Sequence, residues 1–584
     1  MRSYVIILSI FLTAVSCGDA RKSKRALPPL AVQKFDHASV LIANLPVGDT
    51  EGSVNIEVKN YIDELASMTF SAETKFGKGK WLFPVDSKRA ELAVNEKWLK
   101  NFKALLTQEG SQKVKDELEY MVEYLERELK FQKLSYGLNN RALVADFLAP
   151  YYEISSIGPN PEPELLETIA GNLRRGRGFY DDYAAYLSRI VKNGKTLHSR
   201  QWEQFGPLFE KTYITEYFTE LSTARPELAA LIKEVRKDLD RFFITTKDVL
   251  PQLKSGLVRD GTKSNVTHYK AALSRNGIEI SPLALIALGE KGLRESQFAM
   301  RLLKWRILEE GGSQELINET YKDEKDFRES ISRVTKHVAI EIQSKNLVTI
   351  PAEPIREFYN KDDVLGLGAY AVFPSVYPEH EGFPTIIIPD YNLSRAQESY
   401  FLTKGSTHSI MAHEGRPGHE LHFTLLRRSN SLIKKKFALN TAFVEGWGLY
   451  SEHLASKLLG SGLADLVSSY YHANSMALRA ARAILDSKLN IGLMNRTTAI
   501  RFLQSEVESS KGYATAEVDR YLNDPGRDGS YYYGYLKFLQ EKELFKTRLG
   551  NQYSEKCYND SILQIGGTYF TRLNDELEKV KKCQ

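Results

Sequence analysis

Cysteine is nearly absent from this chain, with three in 584 residues at Cys17, Cys557 and Cys583. That excludes a disulfide scaffold, and nothing around the three suggests cysteine catalysis. An excess of one charge sign is lacking too. A net charge of +5 on 79 basic and 74 acidic residues gives no case for a nucleic-acid partner. The short clusters Arg174-Arg175-Gly176-Arg177 and Lys434-Lys435-Lys436 read as solvated faces. No stretch holds eighteen unbroken apolar residues, which excludes a membrane-spanning helix. Internal repeats and low-complexity linkers are also missing, so nothing separates independent domains. A chain this long reads as one two-lobed unit, residues 36–584, with approximate lobes 36–330 and 331–584.

What is present begins at the N-terminus. Arg2 precedes an apolar run from Tyr4 to Val15, followed by Ser16 and Cys17. The run is too short to span a bilayer and has the layout of a secretory signal peptide, residues 1–17. Ala14-Val15-Ser16-Cys17 resembles a lipoprotein signal, in which the cysteine is lipidated and becomes the new N-terminus, although Ala14 stands where Leu is usual. Two readings stay open: a lipid anchor at Cys17 with residues 18–35 as a tether, or simple secretion. Either places the protein outside the cytoplasm, in the periplasm or cell envelope, with any membrane contact made through Cys17. There Cys557 and Cys583 either pair, pinning the C-terminal tail, or stay free.

From about Asp36 the pattern is helical. Residues 56–66, 114–134 and 228–250 place apolar residues three and four apart among charges. Residues 256–274 suggest a short hairpin or loop. Residues 366–390 break the pattern, with Ala369-Tyr370-Ala371-Val372-Phe373-Pro374 and Thr385-Ile386-Ile387-Ile388 reading as one or two strands around a proline-rich loop. Such an element is either a structural hairpin or an edge able to hold a peptide by main-chain hydrogen bonds.

The chemistry sits in His413-Glu414-Gly415-Arg416-Pro417-Gly418-His419. Catalytic zinc takes three nitrogen or oxygen ligands and leaves a position for water, whose proton a neighbouring carboxylate can accept. Histidines six apart on an ideal helix point about 120° apart, so a regular helix would not aim both at one ion. Pro417 cannot donate to the carbonyl of His413, and Gly418 lacks the Cβ that resists unusual dihedrals. A local bulge there would bring His419 round. Downstream, Glu445-Gly446-Trp447-Gly448-Leu449-Tyr450-Ser451-Glu452 reads as a buried helix with two carboxylates on one face. Glu445 is the third-ligand candidate. Glu452 either orients a ligand or is an exposed charge near a helix end.

These two motifs resemble the bacterial domain-of-unknown-function family 885, with its His-Glu-x-x-Pro-Gly-His followed by Glu-Gly-Trp-x-Leu-Tyr-x-Glu. The resemblance extends to Leu288-Gly289-Glu290 through Glu295, to Arg479-Ala480-Ala481-Arg482 with Asp486, and to Glu517-Val518-Asp519-Arg520-Tyr521 followed by Pro525-Gly526 and 531–534. That family is similar to the helical glutamate-zincins. The resemblance implies a mainly α, two-lobed fold with a deep central cleft and a small β element near the metal motif. It implies zinc as cofactor, His413, His419 and Glu445 as ligands, Glu414 as general base, and Tyr531 as a donor to the oxyanion. The function implied is hydrolysis of short peptides, of oligopeptidase, dipeptidase or carboxypeptidase type. The alternatives are hydrolysis of another amide or ester at the same centre, or a non-catalytic binding lipoprotein. The sequence departs from the family pattern at Glu420, His422, Asn490 and Arg527. Glu420 with His422 is a fallback ligand pair, and Arg416 or Arg527 is a candidate for a substrate carboxylate.

Overall fold

The computed structural model describes residues 54–62, 84–108, 111–135, 226–249, 266–360, 370–372, 384–389, 403–429 and 431–583, with a few isolated positions between. The expected signal peptide, Cys17 and the tether lie outside the described residues. The architecture is mainly α, as expected, and the chain divides into two compact units.

One unit comprises residues 18–125 and 135–258. Its described part holds helical residues 54–62, helix α1 (Pro84–Leu106), most of α2 (Gln112–Ser135) and α3 (Ala229–Thr246). Tyr61, Trp98 and Phe102 form a buried aromatic cluster, and the Tyr61 hydroxyl donates to Asn95 Oδ1 at 2.7 Å. No metal-binding group lies in this unit among the described residues.

The second unit, residues 126–134 and 259–584, carries the motifs. It runs α4 (Val266–Arg275), α5 (Pro282–Glu309), α6 (Gln314–Ile317), α7 (Glu324–Ser344), β1 (Arg356–Asn360), β2 (Tyr370–Val372), β3 (Thr385–Pro389), α8 (Thr407–Glu414), α9 (His419–Arg427) and α10 (Leu432–Phe437). Then follow α11 (Thr441–Ser456), α12 (Leu463–Asn490), α13 (Arg496–Glu506), α14 (Lys511–Asn523), α15 (Ser530–Leu549), α16 (Glu555–Ile565) and α17 (Phe570–Glu578). Helix α5, which lies within the approximate N-terminal lobe limits, thus belongs with the metal motif. The reason is packing: α5 lies along α12, and Leu285, Leu293, Met300 and Ile307 share its core.

Side-chain caps set several helix starts. Ser281, Asp323 and Asn440 each accept from the backbone N–H three residues on, satisfying a donor that has no partner inside the helix. Residues 266–275, expected within a loop, are helical instead. His268 and Tyr269 recur one turn later as Ala272 and Leu273, and all four are buried, which is helical spacing. Residues 256–265 lie outside the described residues.

The β element is present and larger than expected. β3 pairs in parallel with β1 and antiparallel with β2, in the order β1-β3-β2. Its Ile386 and Ile388 are buried against Ile410 and Met411 of α8. Thr385–Pro389 is therefore the central strand, paired on both sides, and cannot add a peptide, whereas β2 is at an edge. Cys557 and Cys583 form a disulfide with Cα atoms 5.6 Å apart, tying the C-terminal tail to α16.

Candidate metal centre

Between the two histidines the chain leaves the helix altogether. α8 ends at Glu414 and α9 begins at His419, with Gly415 and Gly418 as flanking caps and a cis Arg416–Pro417 peptide. The expected bulge is thus a complete break, which puts His413 in the last turn of one helix and His419 in the first residue of the next. Gly418 is required for a steric reason. A Cβ there would lie 1.9 Å from the carbonyl oxygen of His413 and 2.4 Å from that of Ala412. The connecting loop is pinned from α11, where Trp447 Nε1 donates to the Pro417 carbonyl at 2.9 Å.

α11 is apolar on nearly every face and buried through most of its length, as expected of a helix with no solvent stripe. Its carboxylates therefore need partners inside the protein. Glu445 Oε2 stands 3.4 Å from His413 Nε2 and 3.3 Å from His419 Nε2. One donor atom from each of the three residues lies within 4.8 Å of the others, all three side chains being buried. The imidazole rings meet edge to face at 4.5 Å. Yet Glu445 Oε2 makes no hydrogen bond, and neither does His419 Nδ1. Two imidazoles and a carboxylate converging with no hydrogen bond among them form a donor set that could hold a divalent ion and suits zinc.

Electrostatics agrees with the geometry. Burial opposes ionisation of Glu445, but His413, His419 and Arg527 hold its carboxyl well below the usual range. Burial likewise disfavours a charged His413, yet Glu445 and Glu452 push it up to about 9.

Glu452 is not an exposed charge. It is buried about two turns beyond Glu445 on α11, with Oε1 2.8 Å from His413 Nδ1, and it accepts from Ser475 Oγ at 2.6 Å. Arg479 Nη2 lies 3.5 Å away. Despite burial, Arg479 and His413 hold the carboxyl at about 2. An ionised acceptor at Nδ1 holds a proton there, so Nε2, which faces Glu445, is the nitrogen that would give up its proton to an ion. Gly448 completes the seat: a Cβ there would lie 2.6–2.9 Å from three atoms of the His413 ring. Glu452→Gln is expected to weaken zinc binding about tenfold or more, measured by competition with a chelator; an unchanged affinity would contradict this orienting role.

Tyr531, at the start of α15, stacks on His413 with ring centroids 6.3 Å apart and planes at 21°. Burial and Glu445 raise its phenol above the ordinary value, so it keeps its proton at neutral pH. Arg482 lies 4.9 Å over the same ring and makes a bidentate pair with Glu517 at 2.8 and 3.2 Å. Glu517 also accepts from Arg520 and Tyr521, and although burial opposes its charge, Arg482 and Arg520 hold it at about 2. Glu452 and Glu517 both fall from an ordinary 4.5. A depressed carboxyl stabilises the fold above its unfolded value, and that contribution drains as pH falls toward the folded one. Thermal midpoints should therefore drop steeply between about pH 4.5 and pH 2; a flat profile across that window would count against these buried pairs.

The remaining motif residues have other partners. Arg416 and Glu420 form a bidentate pair at 2.6 and 3.0 Å, and Arg416 Nη1 donates to the Pro351 carbonyl. Neither residue is available as a ligand or a substrate contact. His422 packs between Phe423 and Phe443, and burial and His419 push it down to about 3. The fallback pair is thereby set aside, because the helix break aims His419 at Glu445. Arg527 is buried with Nη2 3.5 Å from Glu445 Oε1. Asn490 is structural, donating to Asp486 and to the Tyr521 carbonyl. Glu414 is half-buried beside its neighbour His413. The sequence reading missed Ser475 and the seat at Gly448. A helical wheel could have placed Arg479 and Ser475 on one face, since they are four apart, but not against Glu452.

A family described as bacterial protein of unknown function (DUF885) matches residues 77–576. The chain belongs to that family. No curated protein matches it. Among solved structures, this DUF885 chain is similar to a protein of Colwellia psychrerythraea assigned as a lipoprotein. The two share 16% identity and a TM-score of 0.71, covering 91% of this chain and 98% of the other. It is also similar to an assigned lipoprotein of unknown function from Shewanella oneidensis, at 14% identity and a TM-score of 0.64, covering 90% and 98%. At these identities the likeness is one of fold.

Proposed function

We propose that this DUF885 protein is a zinc-dependent hydrolase of short peptides. The observation that carries the reading is the convergence of His413 Nε2, His419 Nε2 and Glu445 Oε2 on one buried point, with no hydrogen bond to Glu445 Oε2. These three residues would hold the ion, which when bound acidifies water and polarises a carbonyl. Glu414 follows the first ligand directly, and its carboxylate takes the proton of the attacking water and returns it to the leaving amine. Tyr531 keeps its phenolic proton and donates it as a hydrogen bond to the developing oxyanion. Glu452 holds His413 in register throughout.

Export as an envelope lipoprotein fits the same reading, supported by the lipoprotein assignments of the Colwellia and Shewanella structures and by the Cys557–Cys583 pair, which suits an oxidising compartment. Palmitate labelling of the full chain, lost in Cys17→Ser, tests the anchor.

The activity test is a panel of free, N-acetylated and C-amidated short peptides with matched esters, run on zinc-loaded protein. Peptide cleavage that disappears in Glu414→Gln supports the proposal. Turnover of esters or non-peptide amides alone would replace it with a different hydrolase. An inert wild type with bound zinc would leave a binding lipoprotein.

A further inference from the structure

Helix α5 presents two unlike faces. Its inner face is locked on α12 by buried core residues, and Gln297 Nε2 is tied to the Glu506 carbonyl and carboxylate. The helix is therefore rigid. Its outer face carries Phe298, Leu302 and Trp305, which are 63%, 46% and 55% exposed. The spacing of four and then three residues stacks them in one stripe about 10 Å long. Exposure of this kind is concentrated here: Leu283 and Leu308, also exposed, lie on the same helix. Large aromatics are seldom left so open without a use.

The surroundings say what covers the stripe. On the same wheel, Lys291, Arg294 and Arg301 flank the three apolar residues, and all are exposed. The acidic neighbours are Glu295, 3.9 Å from Lys291, and Glu309 at the helix end. Three half-exposed side chains offer roughly 300 Å² of apolar surface, well short of the roughly 800 Å² per partner of a stable protein interface. A bilayer sets no such minimum area. Aromatic rings settle at headgroup depth, and Arg and Lys stems reach past them to lipid phosphates.

We propose that the outer face of α5 docks on an anionic phospholipid surface through Phe298, Leu302 and Trp305, with Arg294 and Arg301 as headgroup contacts. This goes beyond a membrane contact made only through Cys17, and it is independent of the metal centre.

The test uses the chain starting at Gly18, which carries no lipid, sedimented with phosphatidylglycerol–phosphatidylethanolamine vesicles and with phosphatidylcholine vesicles. The expected result is binding to the anionic vesicles that falls roughly tenfold in the double variant Phe298→Ser/Trp305→Ser. It should also fall in Arg294→Gln/Arg301→Gln and in about 0.5 M salt. Zinc content and circular dichroism of both variants should match the wild type, as neither pair touches the core. Absence of vesicle binding, or equal binding by wild type and the aromatic variant, would overturn the proposal. So would a concentration-dependent dimer abolished by Phe298→Ser/Trp305→Ser, which would assign the stripe to a second copy.

Discussion

Glu414→Gln should lower kcat on a cleaved peptide by about 10²–10⁴-fold while leaving zinc content and KM nearly unchanged. The expectation rests on division of labour within one turn of helix. His413 is oriented through Nδ1 by Glu452 and faces Glu445 through Nε2. Glu414, the next residue, is half-buried and belongs to none of these pairs. The amide is isosteric with the carboxylate, so it preserves the side chain's shape and removes the charge that accepts the proton. Stopped assays with the zinc-loaded variant would check it. Activity within a few-fold of wild type would require another base.

Gly448→Ala should be almost as damaging, through the metal site itself. In a helix interior this change ordinarily helps, by about 0.5–1 kcal/mol, because glycine is the poorer helix former. Here the added methyl would stand 2.6 Å from His413 Cε1 and 2.7 Å from Nε2, well inside contact distance. Relief would have to come from the imidazole, because Glu452 and Glu445 sit on the same rigid helix as residue 448. Overpacking of this sort costs about 1–3 kcal/mol, which outweighs the gain in propensity and falls on the ring that must be aimed. Zinc affinity is expected to fall at least tenfold, measured by chelator competition, with the helical circular dichroism retained. A stabilised variant with unchanged zinc affinity would mean that the ring has room the structure does not give it.

Much of this candidate site was legible in the residues, because the candidate ligands and base sit in short segments. His413, Glu414 and His419 fall within seven positions, and the spacing of Glu445 and Glu452 places both on one helical face. The helical class was legible for a similar reason, since long segments such as α2 and α3 repeat apolar residues every three to four positions. What could not be read is what depends on contacts distant in sequence. The pairing of Arg527 with Glu445, and of Ser475 and Arg479 with Glu452, joins residues 23 to 82 positions apart. The engagement of Arg416 by Glu420 is local, but it is decided by which way the broken loop turns, and no periodicity encodes that. Strand β1 escaped notice because Arg356-Glu357-Phe358-Tyr359-Asn360 lacks alternation and gains its ladder only beside β3.

The most direct test is elemental analysis of the purified chain and its His419→Ala variant after dialysis against a weak chelator. If His413, His419 and Glu445 form the site, the wild type retains one zinc per chain and His419→Ala retains essentially none. Equal zinc in the two proteins, or none in the wild type under saturating metal, would contradict it.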